Sequence, residues 1–340
     1  MLTRLFSYAK MVPTALKLNT MYLYGTNHKK EQIIELGKFM HGEVPVRLAR
    51  CINYLDEFPF SFLNIKQIEN VRNLYLSSFD SILNTKIPEN TDDCHNLANI
   101  LTEMKDNHST VQENLGYGIQ QYIVNYPKFN YNTFLDKFYI SRIGIRTIMG
   151  QYINLVNKNE GIIKMCNPYQ IISAMINDVQ YISENIYGEC PNINIYGDKI
   201  YSFPYIPSHL YYIIFELLKN SLRATMEYNI KNNIENSINV YISKGKNDVI
   251  IKISDLGGGF SRNDIEKVFN YSFTTVKTNI DDQNIMDQRA FMLAGHGYGL
   301  PLSRLYVNYF QGKLIIIPYN GIGTDAIVYI NKMGDKTEIF

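Results

Sequence analysis

Apolar residues recur at spacings of three and four through the first half of the chain, and in alternation through the last third. "YNTFLDKFYISRIGIRTIMGQYINLV" and "CHNLANILTEMKDNHSTVQENLGYGIQQYIVNY" repeat apolar positions at helical spacing. Gly116 and Gly118 are weak points that such a helix tolerates. Long segments of this kind, enough for a bundle, fill roughly residues 31–152. Gly161 and Pro168, in "NKNEGIIKMCNPY", interrupt the pattern and mark a boundary. Beyond it come a helix, "YQIISAMINDVQYISENIYG", and a second over about residues 208–228. "INVYISKG" and "DVIIKISD" then form a hairpin around the polar turn "KGKND", and "KLIIIPYNGIGTDAIVYI" supplies two more strands. The predicted architecture has two domains: an N-terminal all-α helical bundle over residues 31–157, and a C-terminal α/β sandwich with a mostly antiparallel sheet over residues 165–335.

The second helix carries polar residues among its leucines. In "FELLKNSLRATME", Glu216, Asn220 and Arg223 are four and three residues apart and share one helix face. The leucines and Phe215 are expected to face the sheet. The polar stripe is then either an ordinary wet face or the wall of a site. "SDLGGGF" ends a strand with an acid and three glycines. Asp255 there suits an exocyclic amine such as the 6-amino group of adenine, or serves only as the cap of a glycine-rich turn. In "AGHGYGLPLSRLY", Gly295, Gly297 and Gly299 lead into a helical run, and amides so arranged make an anion site. It is not the dinucleotide fingerprint, because Leu300 and Pro301 follow and no strand directly precedes it. Thr324 in "GIGTDAIVYI" offers a hydroxyl. The long aperiodic stretch over residues 271–297, between the two glycine clusters, is expected to be a lid.

Composition narrows the field. The chain has 340 residues, room for about two domains, with 46% hydrophobic and 19% charged residues. A net charge of +1 gives no case for nucleic-acid binding. Runs such as "YYIIF" and "LIIIP" are far short of the ~20 apolar residues of a membrane span. Cys51, Cys94, Cys166 and Cys190 show no metal-ligand or C-x-x-C spacing and read as reduced thiols. "NIKNNIENS" reads as a polar connector. The first thirty residues hold five Lys or Arg and no acid, the pattern of a mitochondrial transit peptide or of a basic N-terminal arm.

The order of these elements is more specific than any one of them. An E-x-x-x-N helix, a strand ending in D-x-G-x-G, a lid, G-x-G-x-G and a G-T-D strand together resemble the GHKL superfamily of ATP sites, which includes DNA gyrase and the histidine kinases. Within it, "IPSHLYYIIFELLKNSLRATME", "IKISDLGGGF", "GHGYGLPLSRLYVNYFQG" and "GIGTDAIVYI" resemble the mitochondrial 2-oxo-acid dehydrogenase kinases. So do "GEVPVRLARCINYLDEFP", "NHSTVQENLGYGIQQY" and "FLDKFYISRIGIRTIMGQY", so the resemblance covers roughly residues 31–335.

That resemblance implies transfer of the ATP γ-phosphate to serine on the E1α subunit of the pyruvate or branched-chain complex, which switches the complex off. It implies Glu216 as general base, Lys219 and Arg223 as catalytic helpers on phosphate charge or on Glu216, and Asn220 as the Mg²⁺ ligand. The nucleotide falls to Glu216, Asn220, Arg223, Asp255, Gly257, Gly259, Thr274, Thr275, Gly295, His296, Gly297, Tyr298, Gly299, Leu300 and Thr324. ATP and Mg²⁺ are the expected cofactors, with K⁺ a further candidate. The lipoyl domain of the E2 core is an expected partner, the chain is an expected homodimer, and the location is the mitochondrial matrix.

Tyr212 stands where pyruvate-type kinases commonly have histidine and leans to the branched-chain side, as does "YSFTT"; "LSRLYVNYFQG" and "GTDAIVYI" lean to the pyruvate side. His296 replaces a usual phenylalanine. Tyr75, His108, Arg142 and Arg146 match positions lining an allosteric pocket for small carboxylates, although Asn107 stands where pyruvate-type kinases often have arginine. The other reading is a helix face paired to acids within the bundle. The chain stops at Phe340, soon after the last strand, so lipoyl docking is expected to be weaker or differently built than in kinases with a long C-terminal tail. Two other classes are a histidine kinase and a nucleotide-binding module without transfer. None of the six histidines, His28, His41, His95, His108, His209 and His296, has the H-[ED]-x-[RK] context. A module without transfer has no use for Glu216 and Lys219.

Overall fold

The computed structural model describes residues 2–26, 29–235, 237–271 and 297–340. The chain divides into two compact units, Met1–Ile163 with Glu338–Phe340, and Lys164–Thr337. Among the described residues no helix is long and apolar enough to cross a membrane.

The first unit is all helical: α1 (Leu2–Ala9), α2 (Leu18–Thr26), α3 (Lys30–Asp56), α4 (Phe60–Leu63), α5 (Lys66–Leu83), α6 (Thr91–Asn107), α7 (Val111–Asn125) and α8 (Asn132–Lys158). The sequence sets several boundaries. Asn90 caps α6 by accepting from the Asp93 amide at 2.9 Å, and α8 ends where Asn159 turns left-handed at φ 56°. The core is the inner faces of α3, α5, α6 and α8, with Leu48, Ile52, Phe79, Leu97, Leu101, Phe138 and Tyr152 fully buried.

Residues 1–30, expected to be a transit peptide, form part of this unit. Leu5, Leu18 and Met21 are buried, and the Tyr8 ring packs edge-on against Phe79 with centroids 5.5 Å apart. An acid-free amphipathic pattern serves equally well for burying an apolar face against a bundle. Arg47 is the clasp of this end. Its guanidinium donates to Glu43 at 2.7 Å, to both Glu338 oxygens at 2.6 and 3.1 Å, and to the Thr14 carbonyl at 2.9 Å. Glu43 in turn accepts from the Thr14 amide, and Glu338 from the Leu16 amide. All three charged side chains are buried. Just beyond, Leu16, Met21, Tyr24, Leu36, Phe39 and Ile148 line an apolar cavity of about 410 Å³.

The second unit has helices on one side of a sheet. Its elements are β1 (Lys164–Cys166), α9 (Pro168–Tyr187), β2 (Ile193–Gly197), β3 (Phe203–Tyr205), α10 (Pro207–Asn232), β4 (Ile238–Lys244), β5 (Asp248–Asp255), α11 (Gly299–Tyr309), β6 (Lys313–Tyr319) and β7 (Gly323–Asn331). The five-stranded sheet runs β2-β4-β5-β7-β6, antiparallel except where β2 pairs in parallel with β4. The expected hairpin is β4–β5, closed by a 2.8 Å bond from the Gly245 amide to the Asp248 carbonyl. β1 and β3 form a separate antiparallel pair. β1 and β3 are only three residues long and β2 alternates only over Ile193–Asn194–Ile195, too briefly for the pattern to announce them. α10 continues to Asn232, past its expected end, and absorbs part of the polar connector.

The period of two in β5 places an acid inside the unit. It buries Val249, Ile251 and Ile253, and by the same alternation carries Asp255 to the buried face. α10 packs Leu217, Leu218, Leu222 and Met226 into this core as expected. Phe215 does not join them. It is half-buried and stacks on Tyr211 of its own helix, centroids 5.7 Å apart and 14° from parallel, because the i,i+4 spacing puts it on α10's flank.

Candidate functional site

A cavity of about 430 Å³ opens between α10, the end of β5, the glycine run at 257–259 and the start of α11. Glu216, Asn220 and Arg223 line it, so the stripe on α10 is a wall and not a wet face. Asp255, Gly257, Gly259, Gly297, Gly299, Leu300 and Thr324 line it too. Ten sequence-predicted residues, from four stretches of chain, thus converge on one space.

Asp255 is the most constrained group in it. It is 6% exposed, and its carboxylate accepts from the Gly257 amide at 3.1 Å, the Thr324 amide at 3.2 Å and the Ser221 hydroxyl at 2.9 Å. Burial pushes its carboxyl up to about 6, against the pull of those three donors, and nearby Asp325 adds to the rise. A carboxylate offers about four acceptor positions, so three donors leave roughly one for a ligand. The Thr324 amide reaches Asp255 because the two residues are partners in the β5–β7 ladder. Gly257 lets α10 come close: a Cβ there would sit 2.6 Å from the Ala224 carbonyl carbon.

Glu216 is fixed on both sides. Lys219 donates to its Oε1 at 2.9 Å, with the two side chains only 15% and 13% exposed. Its Oε2 abuts Gly299, the first residue of α11, so closely that a Cβ would collide with it. Arg223 lies 3.6 Å from Glu227 on the next turn. Tyr212, one turn before Glu216, packs its ring on Tyr306 at 4.9 Å, and burial with the neighbouring Glu216 raises its hydroxyl well above the tyrosine range. The carboxylate therefore faces the cavity beside the first residues of α11, where negative charge is favoured.

Not every expected residue lies here. Lys219 stands off the cavity, behind Glu216. Tyr298 is buried beneath the glycine turn, 5.3 Å from the Tyr271 ring. Thr274, Thr275, Gly295, His296 and most of the expected lid fall outside the described residues. Ser221, Glu227, Tyr228 and Lys231 belong to the site but were missed. Ser221 was hidden because a serine beside Asn220 reads as filler until the strand partner is known. Extending the i,i+4 stripe from Arg223 finds Glu227 and Lys231.

The four expected allosteric residues also come together, in the first unit. Tyr75 and His108 are buried with rings 4.5 Å apart, Arg142 donates to the His108 carbonyl at 2.6 Å, and Arg146 to the Lys105 carbonyl at 3.3 Å. Burial and the two guanidiniums push His108 down to about 3. Arg142 meets no carboxylate among the described residues.

Residues 15–180 match the family model of mitochondrial branched-chain alpha-ketoacid dehydrogenase kinase, and residues 205–333 that of the histidine kinase-, DNA gyrase B- and HSP90-like ATPases. The mitochondrial [pyruvate dehydrogenase (acetyl-transferring)] kinase of Arabidopsis thaliana is 34% identical over 342 residues, 96% of this chain and 93% of that protein. The Schizosaccharomyces pombe kinase of the same name is 31% identical, covering 97% and 96%. Human isozyme 3 is also 31% identical, covering 97% and 86%. With such likeness running through nearly the whole of each protein, the chain belongs to the family of mitochondrial 2-oxo-acid dehydrogenase kinases, which are protein kinases.

Proposed function

We propose that the protein is an ATP-dependent serine kinase of the E1α subunit of a mitochondrial 2-oxo-acid dehydrogenase complex, pyruvate dehydrogenase before the branched-chain complex, and that it inactivates that complex. The observation that carries this is the Glu216 carboxylate on the cavity wall, one helical turn before Asn220 and against Gly299. In the reaction the serine Oγ attacks the γ-phosphorus, its proton passes to Glu216, and the bond to the β-phosphate oxygen breaks to leave ADP. Asp255 accepts from the adenine amine, and the amides at Gly297–Leu300 take phosphate oxygens. The Asn220 amide oxygen would hold Mg²⁺, which neutralises phosphate charge; one protein ligand suffices for an ion that keeps waters and phosphates as its others. Arg223 supplies further positive charge at the wall.

The same reading places the protein in the mitochondrial matrix as a homodimer docked on the lipoyl domain of the E2 core. The apolar cavity in the helical unit has the chemistry for the dithiolane end of a lipoyl arm. The cluster of Tyr75, His108, Arg142 and Arg146 is the candidate site for a small carboxylate effector.

The test is incubation with ATP, Mg²⁺ and purified E1α from each complex. Acid-stable phosphoserine on E1α, lost in Glu216→Gln with nucleotide binding retained, supports the reading, and the rate ratio names the substrate. Acid-labile phosphohistidine, or nucleotide binding without transfer, overturns it.

A further inference from the structure

The ammonium of Lys219 has two available roles, as a ligand of the nucleotide's phosphates or as a support for Glu216, and the geometry separates them. Lys219 does not line the cavity that Glu216, Asn220 and Arg223 share. Among the described residues its ammonium meets Glu216 Oε1 at 2.9 Å and the face of the Phe215 ring at 5.8 Å. Phe215 is itself stacked on Tyr211 at 5.7 Å, and the Tyr211 hydroxyl donates to Asp178 of α9 at 2.8 Å. Tyr211, Phe215 and Lys219 are successive i,i+4 positions, so they form a second stripe beside the one bearing Glu216.

We infer that Lys219 is a positioning residue for Glu216, held back from the nucleotide by an aromatic ladder that α9 anchors. This rests on the reading of Glu216 as the base. Lys219 fixes one carboxylate oxygen while Gly299 bounds the other, so Oε2 is left toward the cavity. The ladder explains why two aromatic residues are spent on a half-exposed flank of α10. Each step leans on the next: Asp178 fixes the Tyr211 ring, Tyr211 the plane of Phe215, and Phe215 the side on which the lysine stem lies.

A positioning role predicts a split in the kinetic constants. Lys219→Met lowers kcat toward E1α about 10- to 100-fold, the scale of loss expected for misplacing a catalytic group by an ångström, with KM and Kd for ATP within about twofold. Lys219→Arg, which restores a charge on Oε1, recovers most of kcat. Phe215→Leu, a milder change that leaves Lys219 in place without its platform, lowers kcat severalfold in the same direction, and covers the case of a misfolded Lys219→Met protein. In the Glu216→Gln background Lys219→Met adds no further loss, because its partner's function is already gone. A rise of tenfold or more in the Kd for ATP in Lys219→Met, or losses that multiply with Glu216→Gln, overturns the positioning role and leaves Glu216 as base. Full activity of Glu216→Gln alone overturns the base instead.

Discussion

Gly299→Ala tests how tightly the wall of the cavity is built. Gly299 opens α11 with φ outside the left-handed region, so alanine fits the backbone and is the better helix former by about 1 kcal/mol in a helix interior. The cost falls elsewhere. The new Cβ would collide with Glu216 Oε2 and lie 3.1 Å from its carboxyl carbon. Carbon contacts settle at about 3.5–4.0 Å, so the carboxylate must withdraw by roughly 0.5–1 Å. Because it is the end of a flexible side chain, that movement is cheap for the fold. For the proton acceptor proposed above it is not cheap: a displacement of that size costs about 10²-fold in rate, or about 2.7 kcal/mol of barrier. The expected variant is thus as stable as the parent to heat, binds nucleotide, and transfers phosphate to E1α about a hundredfold more slowly in single turnover. A variant within threefold of the parent rate, with Glu216→Gln inactive, refutes the steric argument. A variant that loses nucleotide binding refutes the claim that only the carboxylate moves.

Other expectations come from buried charge. With Asp255 titrating near about 6, affinity for an adenine nucleotide measured by calorimetry is flat above that pH and falls by up to tenfold per unit below it; Asp255→Asn binds weakly at every pH. Its stability effect has the opposite sign: the folded protein holds this proton more tightly than the unfolded chain, whose value is near 3.8, so the penalty for ionised Asp255 is present above about 6 and relieved as pH falls. His108, pushed from 6.5 to about 3, stays neutral in the fold, so stability is lost as pH drops below 6.5, by roughly 2–3 kcal/mol at pH 4.5, and His108→Gln flattens that slope in urea titrations. Arg47→Met leaves the buried carboxylates of Glu43 and Glu338 facing each other, and urea unfolding should show a loss of about 3–5 kcal/mol; under 1 kcal/mol would show that the clasp is idle.

The parts of this protein legible in its sequence are those governed by short-range periodicity. The stripe of Glu216, Asn220 and Arg223 follows from 3.6 residues per turn, and the burial of Asp255 from the alternation of β5. The four-strand antiparallel core follows from turn residues flanked by β-branched runs. What was not legible depends on partners distant in sequence. β2 joins the sheet through a parallel pairing with β4, 45 residues away at Asn194 and Asn239, and the brief alternation in "INIYG" does not name that partner. Lys219 looked like its neighbours on α10 because spacing cannot tell which way a long side chain leans. For the first thirty residues the pattern leaves two readings open, because a presequence and a helix that packs on a bundle share one amphipathic pattern.

The clasp at Arg47 also has a consequence in time. Arg47 and Glu338 are 291 residues apart, and all of Lys164–Thr337 is synthesised between them. Helices α3 to α8 all precede the second unit in the chain and can condense before it is made, as their residues leave the ribosome. Until Glu338 emerges, the guanidinium of Arg47 has Glu43 for a carboxylate partner but not the second one that completes its site. The bundle that is made first is thereby finished last, and its stability reports on whether translation has run through the other unit.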